Sequence, residues 1–254
     1  MAFHLLGFYS SILPSGGTLT YTELAPVADA QTSINPATSR FWSSRDATVL
    51  AGYAGAPSAY VARLYTPWKP KSHIRPLNQA TLPTSPPNVA LFAENPLEIA
   101  ATHEIIFDGW ANVGVASDMY GLAWYTTSAI EPAPRGEVLT IMGSGGVVAA
   151  IPRQWTELTN PTWETQLPAG VYGIVGSFAA SNNSIAHRFI LEGESMRPGG
   201  LSGTLISVPH PLFSVGGGLG LWGRFTAPVM PRIEVLCNAP DVGVLFWIQV
   251  VRLG

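Results

Sequence analysis

Few side chains in this sequence stand at spacings that carry chemistry. Gly193-Glu194-Ser195-Met196-Arg197 opens like the sharp strand-to-helix turn that presents a nucleophilic serine. Arg197 stands where the closing glycine is required, and no alternating helix–strand pattern surrounds it, so Ser195 reads as a loop serine. Gly143-Ser144-Gly145-Gly146 lacks the Lys-Ser/Thr that completes a phosphate-binding loop and reads as a hairpin turn. The histidines, His4, His73, His103, His187 and His210, show none of the short His/Cys/Asp spacings of a zinc site. His103, Glu104 and Asp108 are near enough in sequence to share a metal, but a solvated strand edge explains them better. Glu192 and Glu194 face one side of an extended segment, which a solvated loop explains as well as a glycosidase carboxylate pair. Asn182-Asn183-Ser184 is a formal glycosylation acceptor and is discounted, because the start of the chain lacks a basic region of the kind a secretory signal needs. The expectation is therefore a protein that is not an enzyme, with no catalytic, cofactor-binding or metal-binding residues and no cofactor.

Composition narrows the class. Of 254 residues, 47% are hydrophobic and only 11% are charged, with a net charge of −3. A disordered chain has the opposite balance. Little charge is left for a solvated surface, which fits a protein that hides much of its surface against partners; a monomer coated with Ser, Thr, Asn and Gln is the alternative. Lys69 and Lys71 are the only lysines, and no basic stripe exists to neutralise phosphates, so direct nucleic-acid binding is not expected. The lone cysteine, Cys237, rules out an intrachain disulfide and lies in an apolar run as a buried packing residue.

The elements that would position side chains are strands. The 26 Gly and 22 Pro break helices and punctuate short runs rich in Val, Ile, Leu, Tyr, Phe and Trp. The first half yields Phe3–Tyr9, Thr18–Leu24, Ala47–Ala54, Ala59–Tyr65, Ala100–Phe107, Asn112–Ala116 and Tyr120–Thr127. The second yields Glu137–Met142, Gly146–Ile151, Gly170–Ala179, Ser184–Leu191, Leu201–Val208, Leu219–Thr226, Arg232–Cys237 and Val242–Arg252. Seven or eight per half is the number used by a Greek-key sandwich or jelly roll. Period-2 alternation puts Tyr60, Ala62 and Leu64 on one face. The almost wholly apolar last strand is expected to be covered on both faces. Thr66–Pro87 is a long Pro-rich connection, and Ile130–Gly136 reads as a short, stiff linker. Trp42, Trp68, Trp110 and Trp163, in or near loops, are candidates for contacts with another chain.

The two halves resemble each other. Leu50–Tyr65 laid over Val175–Ile190, with Arg63 meeting Arg188, matches Tyr53 with Phe178 and Leu64 with Phe189 at an offset of 125. Tyr21-Thr22-Glu23-Leu24 matches Trp155-Thr156-Glu157-Leu158 at an offset of 134, with Tyr21 meeting Trp155. Gly121-Leu122-Ala123-Trp124-Tyr125 resembles Gly243–Ile248 at an offset of 122 to 123, which makes Trp124 and Trp247 counterparts in two cores. Three blocks in one order imply two similar domains: an N-terminal jelly roll over 1–129, a linker over 130–136 and a C-terminal jelly roll over 137–254. Arg63 and Arg188, each in an alternating apolar strand, are expected to be structural, paired with a carboxylate or with backbone carbonyls.

On these blocks the chain resembles the double jelly-roll major capsid proteins of tailless icosahedral viruses, the lineage of tectiviruses, corticoviruses and adenovirus hexons. Its small size is closer to the compact capsid proteins of membrane-containing bacteriophages. The resemblance implies an all-β fold of two tandem jelly rolls and a homotrimer whose pseudo-hexagonal outline tiles an icosahedral shell. It also implies neighbouring trimers and other capsid proteins such as a penton as partners, an underlying viral membrane in many members, and a place in the virion after synthesis in the host cytoplasm. Two other readings stay open: a carbohydrate- or receptor-binding β-sandwich, such as a viral spike or a lectin-like module, and a β-sandwich glycosidase with two carboxylates across a cleft.

Overall fold

The computed structural model describes residues 3–12, 20–29, 34–55, 60–68, 75–77, 79–80, 89–92, 95–111, 117–146, 152–203, 219–241 and 243–254. All regular structure among them is β-strand. The chain divides into two compact units. Leu6–Ser128 is the first roll; Ala129–Gly254, together with the chain's first residues through Leu5, is the second.

The first roll comprises β1 (His4–Ile12, which begins in the second unit), β2 (Thr22–Glu23), β3 (Ala25–Pro26), β4 (Phe41–Trp42), β5 (Ala47–Gly55), β6 (Tyr60–Tyr65), β7 (Arg75–Leu77), β8 (Gln79–Ala80), β9 (Ala90–Leu91), β10 (Leu97–Ile99), β11 (Glu104–Ala111) and β12 (Ser117–Thr126). One sheet runs β10-β5-β12-β1-β3 and the other β2-β11-β6-β7. Counting only the eight principal strands, the first lies beside the last in one sheet and the second beside the seventh in the other. That is the order of a jelly roll, two interlocked Greek keys.

The second roll repeats it with β13 (Val138–Gly146), β14 (Trp155–Glu157), β15 (Thr159–Trp163), β16 (Gly170–Ala180), β17 (Ser184–Ile190), β18 (Gly199–Gly203), β19 (Gly223–Ala227), β20 (Arg232–Cys237) and β21 (Val244–Arg252). The order β15-β13-β21-β16 continues into β19, and β14-β20-β17-β18 forms the other layer. Here β18 pairs antiparallel with β17 and parallel with β16, joining the layers at one edge. In the first roll β7 and β8 divide those two roles. Thr66–Pro87 is therefore not a plain connection: within it, β7 and β8 are the counterpart of β18.

The duplication extends to an irregularity. The β5–β12 ladder skips Leu50, and the β16–β21 ladder skips Val175, so one extra residue bulges at the same place in each roll. The registers also correct the expected alignment of the last strands. Leu122 lies opposite Tyr53, and Trp247 lies opposite Phe178. Leu122 is thus the counterpart of Trp247, and Trp124, opposite Ala51, corresponds to Gln249, opposite Gly176. Shared aromatic residues misaligned the blocks, because ladder register answers to the neighbouring strand and not to residue type.

Burial and strand assignment correct two further expectations. It is β12, not the last strand, that is covered on both faces: Leu122, Ala123 and Trp124 are all buried, whereas β21 alternates buried with half-buried residues. Gly143–Gly146 is no hairpin turn but the end of β13, where the Phe246 ring lies against the Gly143 backbone and packs edge-on to Trp163 at 4.9 Å. Trp42, Trp110 and Trp163 lie at or next to strand ends, and Trp68 is in a turn, as expected of residues in or near loops. Glycine serves the first core likewise: a Cβ on Gly121 would meet the Phe107 ring at 2.5 Å, and Phe107 packs on Phe8 at 5.3 Å. Asn112–Ala116 and residues 147–151 lie outside the described residues. Ile130–Gly136 is docked on the second roll, with Leu221 N–H donating to Glu131 O at 2.8 Å and Arg224 pairing with the Glu131 carboxylate.

Candidate functional site: the arginine faces

The resembling blocks meet on the outward side of the β2–β11–β6 layer and of its counterpart β14–β20–β17. Alternation turns Ala62 and Leu64 into the core and Arg63 outward. The β6–β11 register sets Arg63 directly opposite Asp108, and the β11–β2 register sets Asp108 opposite Glu23. In the second roll Arg188 lies opposite Glu234, and Glu234 opposite Glu157. Each roll therefore carries one row of arginine, carboxylate and glutamate across three strands.

Arg63 donates from Nε to Asp108 Oδ1 at 2.8 Å and from Nη2 to Oδ2 at 2.5 Å, the bidentate geometry that suits guanidinium to carboxylate. Its guanidinium lies 3.3 Å from the centroid of the Tyr21 ring, and Tyr65 donates its hydroxyl to Asp108 at 3.2 Å. The hydrogen bonds to Asp108 outweigh partial burial and raise the Arg63 pKa. Burial, with the neighbouring Asp108 charge, pushes the Tyr65 hydroxyl up to about 12. Arg188 donates from Nε to Glu234 Oε2 at 2.7 Å and stacks 4.0 Å from the Trp155 ring centroid. Arg197 closes the second oxygen of Glu234 at 2.5 Å. Tyr21 and Trp155, matched in the sequence repeat, thus do the same work on matched arginines.

The flanking carboxylates are neutralised in turn. Arg40 grips Glu23 with Nε at 2.9 Å and Nη2 at 2.5 Å, and reaches Glu104 with Nη1 at 3.2 Å. Burial alone would raise the Glu104 pKa, but bonds from Thr38, Arg40 and Asn35 together outweigh it and hold the carboxyl below its usual range. Arg232 holds Glu157 at 3.1 Å. Glu104 and Asp108 are thus buried ion-pair partners, not the solvated strand edge expected, and His103 stacks on Trp68 at 5.2 Å. Among the described residues no cluster of three His, Cys, Asp or Glu is placed to hold a metal. A glycosidase pair needs one carboxylic acid kept neutral; here the adjacent carboxylates each face an arginine.

Ser195, Glu192 and Glu194 are exposed together in one loop. The sequence motifs passed over a buried Ser–His pair, Ser177 Oγ hydrogen-bonded to His187 Nε2, because its members lie on core strands of opposite layers with no motif between them. Both are 0% exposed, which leaves no room for a substrate. Burial pushes the His187 pKa down to about 3, and it pushes the Cys237 thiol up to about 12.

No protein-family model matches the chain, and no curated protein matches it. Among solved structures it is similar to the major capsid protein P2 from bacteriophage PM2, at 11% identity and a TM-score of 0.27, over 99% of this chain and 98% of that one.

Proposed function

We propose that the chain is a major capsid protein: a structural subunit that forms homotrimers, six jelly rolls to a ring, which tile an icosahedral virion shell. The observation that carries this reading is the duplication of one jelly roll within a single chain, down to the bulge at Leu50 and Val175 and the arginine rows. Two like rolls in tandem let three copies present a near-sixfold outline, and closed cyclic symmetry is the common way to bury repeated faces. The low charge fits large, permanent interfaces. The arginine rows serve in this reading as structure, and the chain works by assembly and not by chemistry. Its partners would be its own copies, neighbouring trimers, a separate vertex protein and, where the virion has one, an underlying membrane.

Native mass measurement of the expressed chain, followed by electron microscopy, tests the reading. The expected result is a trimer that goes on to form sheets or shells. A stable monomer at micromolar concentration would overturn it and favour a sugar- or receptor-binding module, for which Trp68, 66% exposed, is the best-placed aromatic.

A further inference from the structure

The two rolls share a fold but not a pattern of cover. On the second roll the outer face of β17 and β20 is buried: Ala186, Arg188 and Leu236 are all 0% exposed. Part of the cover is the chain's own start. Arg188 Nη1 donates to Leu5 O at 3.4 Å, Leu5 N–H donates to Arg197 O at 3.1 Å, and Arg197 N–H donates to His4 Nδ1 at 3.1 Å. Phe3 packs edge-on against the buried Trp222 at 5.3 Å. On the first roll the counterpart face is partly exposed among the described residues. Val61, the counterpart of Ala186, is 41% exposed, the Arg63 side chain is 26% exposed, and Tyr21 and Trp110 are half-buried.

The covering segment also has a counterpart. Val27 N–H donates to Gly7 O at 2.7 Å in the first roll, and Glu164 N–H donates to Met142 O at 2.9 Å in the second. Two residues before these acceptors stand Leu5 and Thr140, so the start of β13 corresponds to the strand start that lies on Arg188. It is open: Val138 is 47% exposed, and Thr140 is exposed. The same inversion holds on the other layer. Tyr53, Leu122 and Trp124 are buried on the first roll, while Phe178, Trp247 and Gln249, their counterparts, are half-buried on the second. Among the described residues the chain thus has a seated pairing of strand start with arginine face, and a second copy of each half that stays at least partly exposed.

We propose that the open face bearing Tyr21, Val61, Arg63 and Trp110 receives the start of β13, Val138–Met142, of a second copy of this chain, with Arg63 donating to the Thr140 carbonyl as Arg188 donates to that of Leu5. The proposal rests on the shell-subunit reading and names the contact that joins its copies. The contact is heterologous, one surface meeting a different one, and such contacts close into rings when the rotation permits. The guanidinium is already held by Asp108 and Tyr21, so little side-chain freedom is lost on docking.

The test is a photo-crosslinking amino acid, a benzophenone, placed at the exposed position Val61 of the full chain, together with Thr140→Lys, which sets a second cation against Arg63 on an exposed site that should leave the fold intact. The expected result is a crosslink between copies to the peptide carrying Val138–Met142, and about a tenfold rise in the concentration needed for association in T140K. An oligomer whose crosslinks map elsewhere, with T140K associating as the parent does, overturns the contact and leaves the shell reading standing. A monomer at micromolar concentration overturns both. The expected crosslink in open chains that never close to a trimer upholds the contact and counts against the closed capsomer.

Discussion

His187 should make the second roll sensitive to mild acid. It lies in β17 with no exposed surface, bonded to Ser177 on β16 and 5.9 Å from the Phe189 ring. Burial lowers its pKa from 6.5 to about 3. The unfolded chain therefore takes up this proton as pH falls through about 6.5, and the folded chain does not until about 3. The folded-state pKa is the lower one, so the neutral ring costs nothing above pH 6.5, and stability is lost progressively between the two values. The slope approaches about 1.4 kcal/mol per pH unit, which amounts to roughly 2–3 kcal/mol between pH 6.5 and 4.5. That is a large share of the roughly 5–15 kcal/mol of a typical domain. His187→Gln removes the titration while keeping a polar partner for Ser177. Urea unfolding of both proteins at fixed concentration, at several pH values from 7.5 to 4.5, isolates the effect, because every other group titrates in both. The stability difference between them should shift towards the variant by about 2–3 kcal/mol on going to pH 4.5. Parallel pH profiles would refute the argument and mean that His187 is protonated in the folded chain.

The arginine rows and the glycine strand give two more expectations. Arg63→Ala should cost about 3–5 kcal/mol, because it leaves the buried Asp108 carboxylate without its bidentate partner, whereas in Arg188→Ala Glu234 keeps its bond to Arg197 and the loss should be smaller; denaturant unfolding in which Arg63→Ala costs under about 1 kcal/mol would contradict the buried pairing. Gly199→Ala should cost at least about 2 kcal/mol, since its Cβ would fall against the His187 carbonyl and the Arg188 backbone, which cannot yield as a side chain can. Gly193→Ala meets nothing within 4 Å and should cost only about 1 kcal/mol for its φ of 76°. Thermal unfolding of the two glycine variants side by side checks the ranking.

Much of this fold was legible in the chain. Gly and Pro spacing excluded long helices, alternation placed Ala62 and Leu64 inward with Arg63 outward, and the repeat located the matched arginines and the aromatic residues that stack on them. These are local properties: a strand's facing follows from its own period, and a duplicated block keeps its internal spacing. Asp108 and Glu234 were not legible as the partners of Arg63 and Arg188, because they lie dozens of residues downstream on a strand whose register no local pattern specifies. A slip of two residues leaves every side chain on its proper face, so Trp124 and Trp247 match by pattern although the ladders pair Leu122 with Trp247 as counterparts. Cover was equally hidden. Val61 and Ala186 occupy the same place in the same fold, and one is open while the other is buried. Sequence alternation determines which side of a sheet a residue takes; what lies over that side is decided by distant segments, and only the assembled tertiary structure brings those into place.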